Sequence, residues 1–221
     1  MNKSIILLSG GLDSLVSLGF SKEKYNISLA LTFDYGQKSA EYEIEASKNI
    51  CAYYKINHKV IKLDWLKEIT HTSLVSDDEI PTGDALKDGI ESMKNVWVPN
   101  RNGLFLNIAG AFADGEGYSH IFIGANKEEA GTFSDNTIDF INAINKEFEF
   151  STQNKVKVVA PLINSDKNEI VKIALDNDIP LELTRSCYKN SLKHCGQCES
   201  CTRLKNALLN NNAQKYLKML F

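Results

Sequence analysis

The chain has 221 residues, of which 43% are hydrophobic and 24% are charged, and its formal net charge is −3. This length suffices for one well-buried domain, and the composition is typical of a soluble globular protein. The charge gives no general reason to expect nucleic-acid binding, and no apolar run approaches the roughly 18 residues that cross a bilayer. The N-terminal run SIILLSG is too short for a signal peptide, so we expect a cytoplasmic protein.

Short runs rich in Ile, Val and Leu alternate along the chain with segments of helical period. This alternation predicts a parallel sheet with helices between its strands. We expect five strands, at residues 4–8, 28–33, 58–63, 120–125 and 155–161. We expect helices at about 13–24, within 38–55, at 103–113, within 137–150, after residue 166 and near the C-terminus. The predicted fold class is α/β, a doubly wound five-stranded parallel sheet in residues 1–180 with a small helical segment, 181–221, packed on it.

Local patterns refine two of these helices and add a short one. Asp166 and Glu169 have the spacing of a capping box, and Asp64 is expected to cap a short helix after the third strand. The helix within 137–150 should carry one apolar face, formed by Ile138, Ile141, Ile144 and Phe148.

Residues 71–100 form the least regular part of the sequence, with Pro81, Gly83 and Gly89 among them. Long loops in compact α/β domains are commonly functional lids or mobile segments. We therefore expect a lid or a mobile segment here, with little regular structure.

A glycine-rich loop, SGGLDS at 9–14, lies between the first predicted strand and the first predicted helix. Glycines let successive N–H groups converge on an anion, and the helix adds its positive N-terminal end. The loop has no lysine of the Walker type, which would steady the β- and γ-phosphates for γ-phosphoryl transfer. Ser9 and Ser14 offer hydroxyl groups instead, and the Asp13 carboxylate needs a cation such as Mg²⁺ to lie beside polyphosphate. The loop therefore predicts attack at the α-phosphorus, with pyrophosphate leaving.

Two further polar stretches follow predicted strands directly, DYGQ at 34–37 and GANKEE at 124–129. In a doubly wound sheet, ligands bind at the carboxyl ends of the strands. We therefore expect both stretches to meet the SGGLDS loop at one edge of the sheet.

Four of the five cysteines fall in the last 35 residues, in the pattern C-x7-C-x2-C-x2-C. Four thiolates satisfy tetrahedral Zn²⁺ and leave no open position, so we predict one structural zinc on Cys187, Cys195, Cys198 and Cys201. Gly196 is expected to permit the tight turn after Cys195. An iron–sulfur cluster with the same ligands remains an alternative.

The remaining cysteine and the histidines show no ligand pattern. Cys51 is expected to be a small core residue. His194, although it stands beside a predicted ligand, is expected to be an exposed loop histidine. We interpret His58, His71 and His120 as structural or surface residues.

The SGGLDS loop resembles the signature of the PP-loop ATP pyrophosphatase superfamily. Within that superfamily the whole chain resembles the 7-cyano-7-deazaguanine synthase (QueC) family. The resemblance rests on the cysteine pattern together with SGGLDS, FDYGQK at 33–38, VPNRNGLFLNIA at 98–109 and PLELTRSCY at 180–188. It implies a Rossmann-like fold of the adenine nucleotide alpha hydrolase type.

The resemblance also implies an activity. Enzymes of that family convert 7-carboxy-7-deazaguanine to the nitrile with ATP and ammonia, in queuosine or archaeosine biosynthesis. An adenylated carboxylate and an amide are the implied intermediates, ATP with Mg²⁺ is the co-substrate, and free ammonium is the implied nitrogen source. A homodimer is also implied, and the apolar tail YLKMLF at 216–221 would either contribute to it or pack back on the domain.

We assign candidate roles on this basis. The expected ATP cradle is Leu8, Ser9, Gly10, Gly11, Leu12, Asp13, Ser14, Leu15, Val16, Ser17 and Leu18. Ser9, Asp13, Ser14 and Arg101 are the candidate catalytic residues, Arg101 because a guanidinium suits bidentate binding of a carboxylate or phosphate. Candidate contacts to the nucleotide or the substrate base are Asp34, Tyr35, Gln37, Glu128 and Asp135.

Two departures from the family pattern concern base recognition. The usual YPDCR-like segment is TFSDNT at 132–137, and Arg185 stands where an aromatic residue usually precedes Ser-Cys-Tyr. These changes leave open a QueC-like paralogue that serves antiphage defence. A tRNA-thiolating PP-loop enzyme is a second alternative, although it would need an RNA-binding domain or a basic face. A zinc-knuckle binding module without catalysis is a third, but such a module would have no use for Asp13.

Overall fold

A computed structural model describes residues 2–76, 78–80, 82 and 96–221. Pro81, Gly83 and Gly89, and with them much of the predicted lid or mobile segment, lie outside the described residues. Among the described residues, no helix combines the length and the apolar character that a membrane span requires.

The described strands form one parallel sheet. They are β1 Lys3–Leu7, β2 Asn26–Asp34, β3 Asn57–Lys62, β4 His120–Phe122 and β5 Lys157–Val159. Their order across the sheet is β3-β2-β1-β4-β5, and every neighbouring pair is parallel. The chain moves outward from β1 to β3 on one side and continues with β4 and β5 on the other. The topological switch point, where doubly wound sheets bind ligands, therefore lies between β1 and β4.

Helices cover both faces of the sheet. They are α1 Leu12–Lys22, α2 Ala40–Tyr54, α3 Asp64–Glu68, α4 Arg101–Glu116, α5 Lys127–Ala130, α6 Ile138–Ser151, α7 Lys167–Asp176, α8 Glu199–Asn210 and α9 Gln214–Leu220. Short 3₁₀ turns occur at Ser134–Asn136 and Leu181–Leu183. The predicted doubly wound five-stranded fold is confirmed.

Two hydrophobic cores result from this arrangement. Ile5 and Ile6 are both fully buried, yet they belong to different cores because successive strand residues point to opposite faces. The core around Ile6 includes residues of α1, α7, α8 and α9, and the core around Ile5 includes residues of α4 and α6. The cysteine-containing C-terminal segment thus shares a core with the sheet, and its boundary at residue 180 stays a prediction.

Several local predictions are confirmed. The Asp166 carboxylate accepts a hydrogen bond from Glu169 N at 2.8 Å, and the Glu169 carboxylate accepts one from Asp166 N at 2.9 Å, which makes the capping box. Cys51 is a core residue with 2% exposure. The tail packs back on the domain, since Tyr216 and Leu220 are buried in the α1 core.

Two local predictions are wrong. Asp64 does not cap α3, because Leu63 occupies the cap position and Asp64 is already the first helical residue. Ile138 does not belong to the buried face of α6; it is 51% exposed, whereas Ile141 and Phe148 are buried. As the first residue of the helix, Ile138 lies beyond the edge of the core.

The predicted fourth and fifth strands are longer than the observed ones. The paired part of β4 ends at Phe122 and that of β5 at Val159. After β4 the chain leaves the sheet, and Ile123 and Gly124 line a cavity beside the switch point.

Candidate active site

The glycines and the two serines of the SGGLDS loop fix its backbone conformation. Gly10 has φ +77°, and a Cβ at this position would lie 2.9 Å from the Ala46 Cβ. The Ser14 hydroxyl donates to Gly11 O at 3.0 Å and accepts from Ser9 N at 3.3 Å. Gly11 occupies the cap position of α1 and has no side chain to cap it, so the first-turn N–H groups are available to an anion.

The loop after β4 packs directly against the SGGLDS loop, which is called the phosphate loop below because phosphate is its predicted ligand. A Cβ at Gly124 would lie 2.8 Å from Ser14 N and 2.9 Å from the Asp13 carbonyl carbon. Only glycine allows two backbone segments to approach this closely. The predicted meeting of SGGLDS and GANKEE at one edge is therefore observed.

A lysine from a distant part of the chain enters the loop. The Lys167 ammonium donates to Asp13 Oδ2 at 2.6 Å and to Glu129 Oε1 at 2.9 Å. Lys167 is the first residue of α7, and its side chain is only 11% exposed. The phosphate loop, which lacks a lysine of its own, thus obtains one from the element that follows β5.

Burial and charge set the protonation of this group. Burial raises the pKa of Asp13, and the adjacent Lys167 ammonium opposes that shift. Burial would also raise the pKa of Glu129, but Lys167 and Asn126 hold it below its ordinary value. Burial alone would lower the pKa of Lys167, yet the two carboxylates raise it, so the ammonium stays charged at neutral pH.

The same group fits a divalent cation. Asp13 Oδ1 is buried and has no hydrogen-bond partner among the described residues. A buried carboxylate oxygen without a partner is costly, and carboxylate oxygens are preferred ligands of Mg²⁺. Asp13 therefore has one oxygen engaged by Lys167 and the other suited to a cation that accompanies polyphosphate.

A cavity of about 230 Å³ extends from the loop along the carboxyl edge of the sheet. Residues from β2, α2, α4, α7 and the cysteine segment complete its walls. The lining includes Ser9, Gly11, Asp13, Ser14, Phe33, Tyr35, Gln37, Glu43, Arg101, Phe105, Glu129, Lys167, Arg185 and Tyr188. The cavity thus brings the SGGLDS loop together with charged and aromatic side chains from distant elements.

Arg101, the first residue of α4, lines this cavity. Its guanidinium interacts electrostatically with the Tyr35 hydroxyl and with the Asp135 and Glu129 carboxylates. Burial would lower the pKa of Arg101, but these partners raise it above its usual range. A permanent positive charge in the cavity suits an anionic substrate group.

The turn after β2 is organised by its own side chains. Gln37 accepts from Tyr35 N at 3.0 Å and donates to Glu43 Oε2 at 2.9 Å. Tyr35 and Gln37 line the cavity, as expected for ligand contacts. Asp34 is not among the lining residues; its carboxylate accepts from Gly36 N at 3.2 Å and shapes the turn.

The two other candidate base contacts differ in position. Asp135 lines a second, smaller cavity that adjoins the first. Glu128 lines neither cavity; its carboxylate lies 3.7 Å from the Arg203 guanidinium. Its neighbour Glu129 lines both, so the structure places Glu129 where the sequence predicted Glu128.

The four cysteines meet at one point. Their sulfur atoms all lie within 4.8 Å of one another, and Cys195 Sγ is 3.8 Å from Cys201 Sγ. Tetrahedral zinc with bonds of about 2.3 Å has sulfur–sulfur edges of about 3.8 Å, so the cluster fits the metal. Gly196 has φ +73°, as the predicted tight turn requires, and the Cys195 thiol accepts from Cys198 N at 3.4 Å.

The prediction that His194 is exposed is wrong. Its exposure is 6%, and its Nε2 accepts from Ser186 N at 2.9 Å while its Nδ1 lies 3.1 Å from Leu220 O. Burial, with the nearby Arg185 charge, lowers the pKa of His194 to about 4, so the ring is neutral. The tail α9 folds over this histidine and thereby buries it.

Arg185 connects the cysteine segment to the phosphate loop. Its backbone N–H donates to Gly10 O at 2.7 Å. Its guanidinium stacks on the Tyr42 ring at 4.7 Å and donates to Lys189 O at 2.7 Å. Arg185, which stands where the family pattern usually has an aromatic residue, therefore holds the backbone of the SGGLDS loop from a position in the cavity wall.

Comparisons with known proteins decide the family. The model of the family described as "Queuosine biosynthesis protein QueC" matches residues 3–212. The chain is 50% identical over 217 residues to the 7-cyano-7-deazaguanine synthase of Methanosarcina barkeri, covering 94% of each chain. The chain belongs to the QueC family. It is also 50% identical over 211 residues to the 7-cyano-7-deazaguanine synthase of Carboxydothermus hydrogenoformans, covering 94% of this chain and 98% of that one.

A solved structure with the same fold lies outside the QueC family. The crystal structure of a 4-thiouridine synthetase–RNA complex with bound ATP superposes with a TM-score of 0.53 at 20% identity, covering 99% of this chain and 52% of that chain. At this identity the likeness shows the shared α/β fold alone.

Sequence reasoning assigned no role to Lys167 or Glu129, although GANKEE at 124–129 was expected at the same edge. Both follow strands at the carboxyl edge, the position from which the other candidates were chosen. The rule that ligands bind at the carboxyl ends of strands therefore applies to both residues, but it does not single them out. Lys167 contacts Asp13, 154 positions away, and Glu129, 38 positions away, and no local pattern encodes either contact.

Proposed function

We propose that this chain converts 7-carboxy-7-deazaguanine, with ATP and ammonia, to 7-cyano-7-deazaguanine. The observation that carries the proposal is the 50% identity, over 94% of the chain, to the 7-cyano-7-deazaguanine synthase of Methanosarcina barkeri. The cavity supports it, because a phosphate loop and the cations Arg101 and Lys167 line one continuous space. Activation of a carboxylate by ATP needs this combination of groups.

The first step is adenylation. A carboxylate oxygen of the substrate attacks the α-phosphorus of ATP, and pyrophosphate leaves with the electron pair of the broken P–O bond. The N–H groups at the start of α1 and the hydroxyls of Ser9 and Ser14 bind the leaving pyrophosphate. Mg²⁺ bound with ATP would be held by Asp13 and would neutralise phosphate charge. The Lys167 ammonium adds a fixed positive charge beside the phosphate oxygens.

Ammonia then displaces AMP and gives the amide. A second ATP activates the amide oxygen in the same way, and loss of AMP with the amide protons gives the nitrile. Arg101 is proposed to hold the carboxylate, and later the amide oxygen, in line with the α-phosphorus. One cavity that activates oxygen twice accounts for both steps.

The decisive experiment is product analysis by mass spectrometry. Purified protein is incubated with ATP, Mg²⁺, ammonium and 7-carboxy-7-deazaguanine, and the nitrile is expected. Asp13→Asn and Ser14→Ala should lose most turnover, whereas the exposed controls Asp176→Asn and Ser151→Ala should retain it. Protein that binds ATP but forms neither amide nor nitrile would contradict the proposal.

We also propose one structural zinc per chain and a homodimer. The geometry of the four thiols supports zinc, and elemental analysis should give one zinc and no iron per chain. Light scattering on the purified protein tests the dimer.

The tRNA-thiolating and antiphage alternatives are not favoured by the whole-chain identity to named synthases, and we propose no nucleic-acid partner.

A further inference from the structure

The second cavity differs in chemistry from the first. Trp97 and Phe133 form one wall of it, with ring centroids 5.9 Å apart and ring planes inclined by 19°. Trp97 is 38% exposed, so part of its ring remains uncovered. A stacked aromatic pair at a cavity wall is a platform for another planar ring system.

Helix α8 contributes a charged pair to the same cavity. Glu199 and Arg203 lie one turn apart, and the Arg203 guanidinium donates to the Glu199 carboxylate. A carboxylate beside a guanidinium offers acceptors next to donors. This pattern complements the edge of a guanine-type base, which has N–H donors at N1 and N2 next to the O6 acceptor.

The two cavities share charged side chains. Arg101, Glu129 and Lys167 line both of them. A planar base in the second cavity would direct a carboxylate substituent toward the positive charges of Arg101 and Lys167. ATP in the first cavity would bring its phosphates to the same place from the other side.

We propose that the second cavity holds the deazaguanine base, with Trp97 and Phe133 as a stacking wall and the Glu199–Arg203 pair as the group that recognises its hydrogen-bonding edge. This inference rests on the proposed function and adds the residues that select the base. It also connects the cysteine cluster to the substrate, because Cys198 is the cap residue of α8 and Glu199 follows it directly. The divergent segment TFSDNT then contributes Phe133 to the stacking wall, and α8 supplies the polar contacts.

Tryptophan fluorescence tests the stacking wall. The chain has two tryptophans, and Trp65 lies on α3 outside both cavities. In a Trp65→Phe background, 7-carboxy-7-deazaguanine should quench the remaining Trp97 signal in a saturable way. Trp97→Leu in the wild-type background should raise the KM for the base about tenfold or more and leave the KM for ATP within about twofold.

Substrate analogues test the charged pair. The wild-type protein should discriminate against an analogue that lacks the 2-amino group, and Glu199→Gln should lose about tenfold of that discrimination. Glu149→Gln, on the exposed side of α6, is the matched control and should behave as wild type. Thermal melting establishes that each variant is folded.

The outcomes separate this inference from the proposed function. If the protein forms the nitrile but Trp97→Leu and Glu199→Gln keep wild-type KM and discrimination, the second cavity does not hold the base. The inference is equally overturned if both variants lose ATP and base affinity in parallel, because that result indicates a purely structural role. Absence of nitrile from the wild-type protein would instead remove the proposed function.

Discussion

Lys167 changes the interpretation of the phosphate loop at the level of single residues. The loop sequence contains a carboxylate and no lysine, which suggests repulsion of polyphosphate unless a cation intervenes. In the folded chain Lys167 neutralises one side of Asp13 and leaves the other oxygen for a metal. The positive charge of the site therefore comes from tertiary structure.

Replacement of Lys167 should cost both stability and activity. Lys167→Met leaves the Asp13 and Glu129 carboxylates, whose side chains are 19% and 29% exposed, without their shared cation, and the loss should approach the roughly 3–5 kcal/mol of a fully buried pair only in part. We expect a lower free energy of unfolding in urea and loss of ATP-dependent turnover. Lys172→Met, on an exposed position of the same helix, should unfold like wild type. Equal stability of the two variants would show that the buried group is not bound as described.

Glu43 gives a pH-dependent prediction. Burial raises the pKa of this cavity carboxyl above its ordinary value of 4.5, although Ser39 and Gln37 donate hydrogen bonds to it. Between the unfolded and folded pKa values the native state binds more protons, so this group loses stabilising effect as pH rises above 4.5. Glu43→Gln should therefore become more stable relative to wild type from pH 4.5 to pH 7, measured by urea unfolding. A difference that is constant or shrinks with pH would contradict this.

At the level of elements, the sequence predicts which segments fold and misses where they end. Periodicity and the capping box located the sheet and α7, because those signals are local. The ends of β4 and β5 were predicted too far along the chain, since Ile123 and Ala160 are as apolar as the paired residues before them. Whether an apolar residue pairs in the sheet or lines a loop depends on tertiary contacts.

The close packing of the β4 loop against α1 can be tested at one glycine. In Gly124→Ala the new Cβ would meet backbone atoms at 2.8–2.9 Å, so the phosphate loop must shift. Overpacking of this kind costs about 1–3 kcal/mol, and we expect ATP affinity to fall as well. Gly115→Ala is the matched control, because nothing lies within 4 Å of its Cβ, and it should stabilise α4 slightly. Thermal melting and ATP binding measure both effects, and a Gly124→Ala protein that matches wild type would show that the loops are farther apart.

Zinc removal should act on α8 more than on the sheet. The cysteine cluster includes the cap of α8, and Arg185 in the same segment hydrogen-bonds the phosphate loop. We expect a strong chelator to release one zinc and to increase hydrogen exchange of α8 amides, while β1 and β2 amides stay protected. Base affinity should fall further than ATP affinity. Unchanged exchange in α8 after complete zinc loss would contradict a structural role.

At the level of the whole molecule, the topology explains why the site could be located but not assembled from sequence. Strand order places the switch point between β1 and β4, so residues after several strands converge there. The phosphate loop, the turn after β2 and the β4 loop were predicted to meet on this ground. The Arg101–Tyr35 and Asp13–Lys167 contacts could not be predicted, because they depend on side-chain packing between distant segments.

Transfer of oxygen to AMP tests the central claim most directly, namely that this cavity adenylates a carboxylate. The substrate 7-carboxy-7-deazaguanine, labelled with ¹⁸O in its carboxyl group, is incubated with the protein, ATP, Mg²⁺ and ammonium. Adenylation predicts AMP and pyrophosphate as products, with one ¹⁸O transferred to AMP in each activation. Formation of ADP, with the label in inorganic phosphate, would mean phosphorylation instead and would contradict the account of the loop.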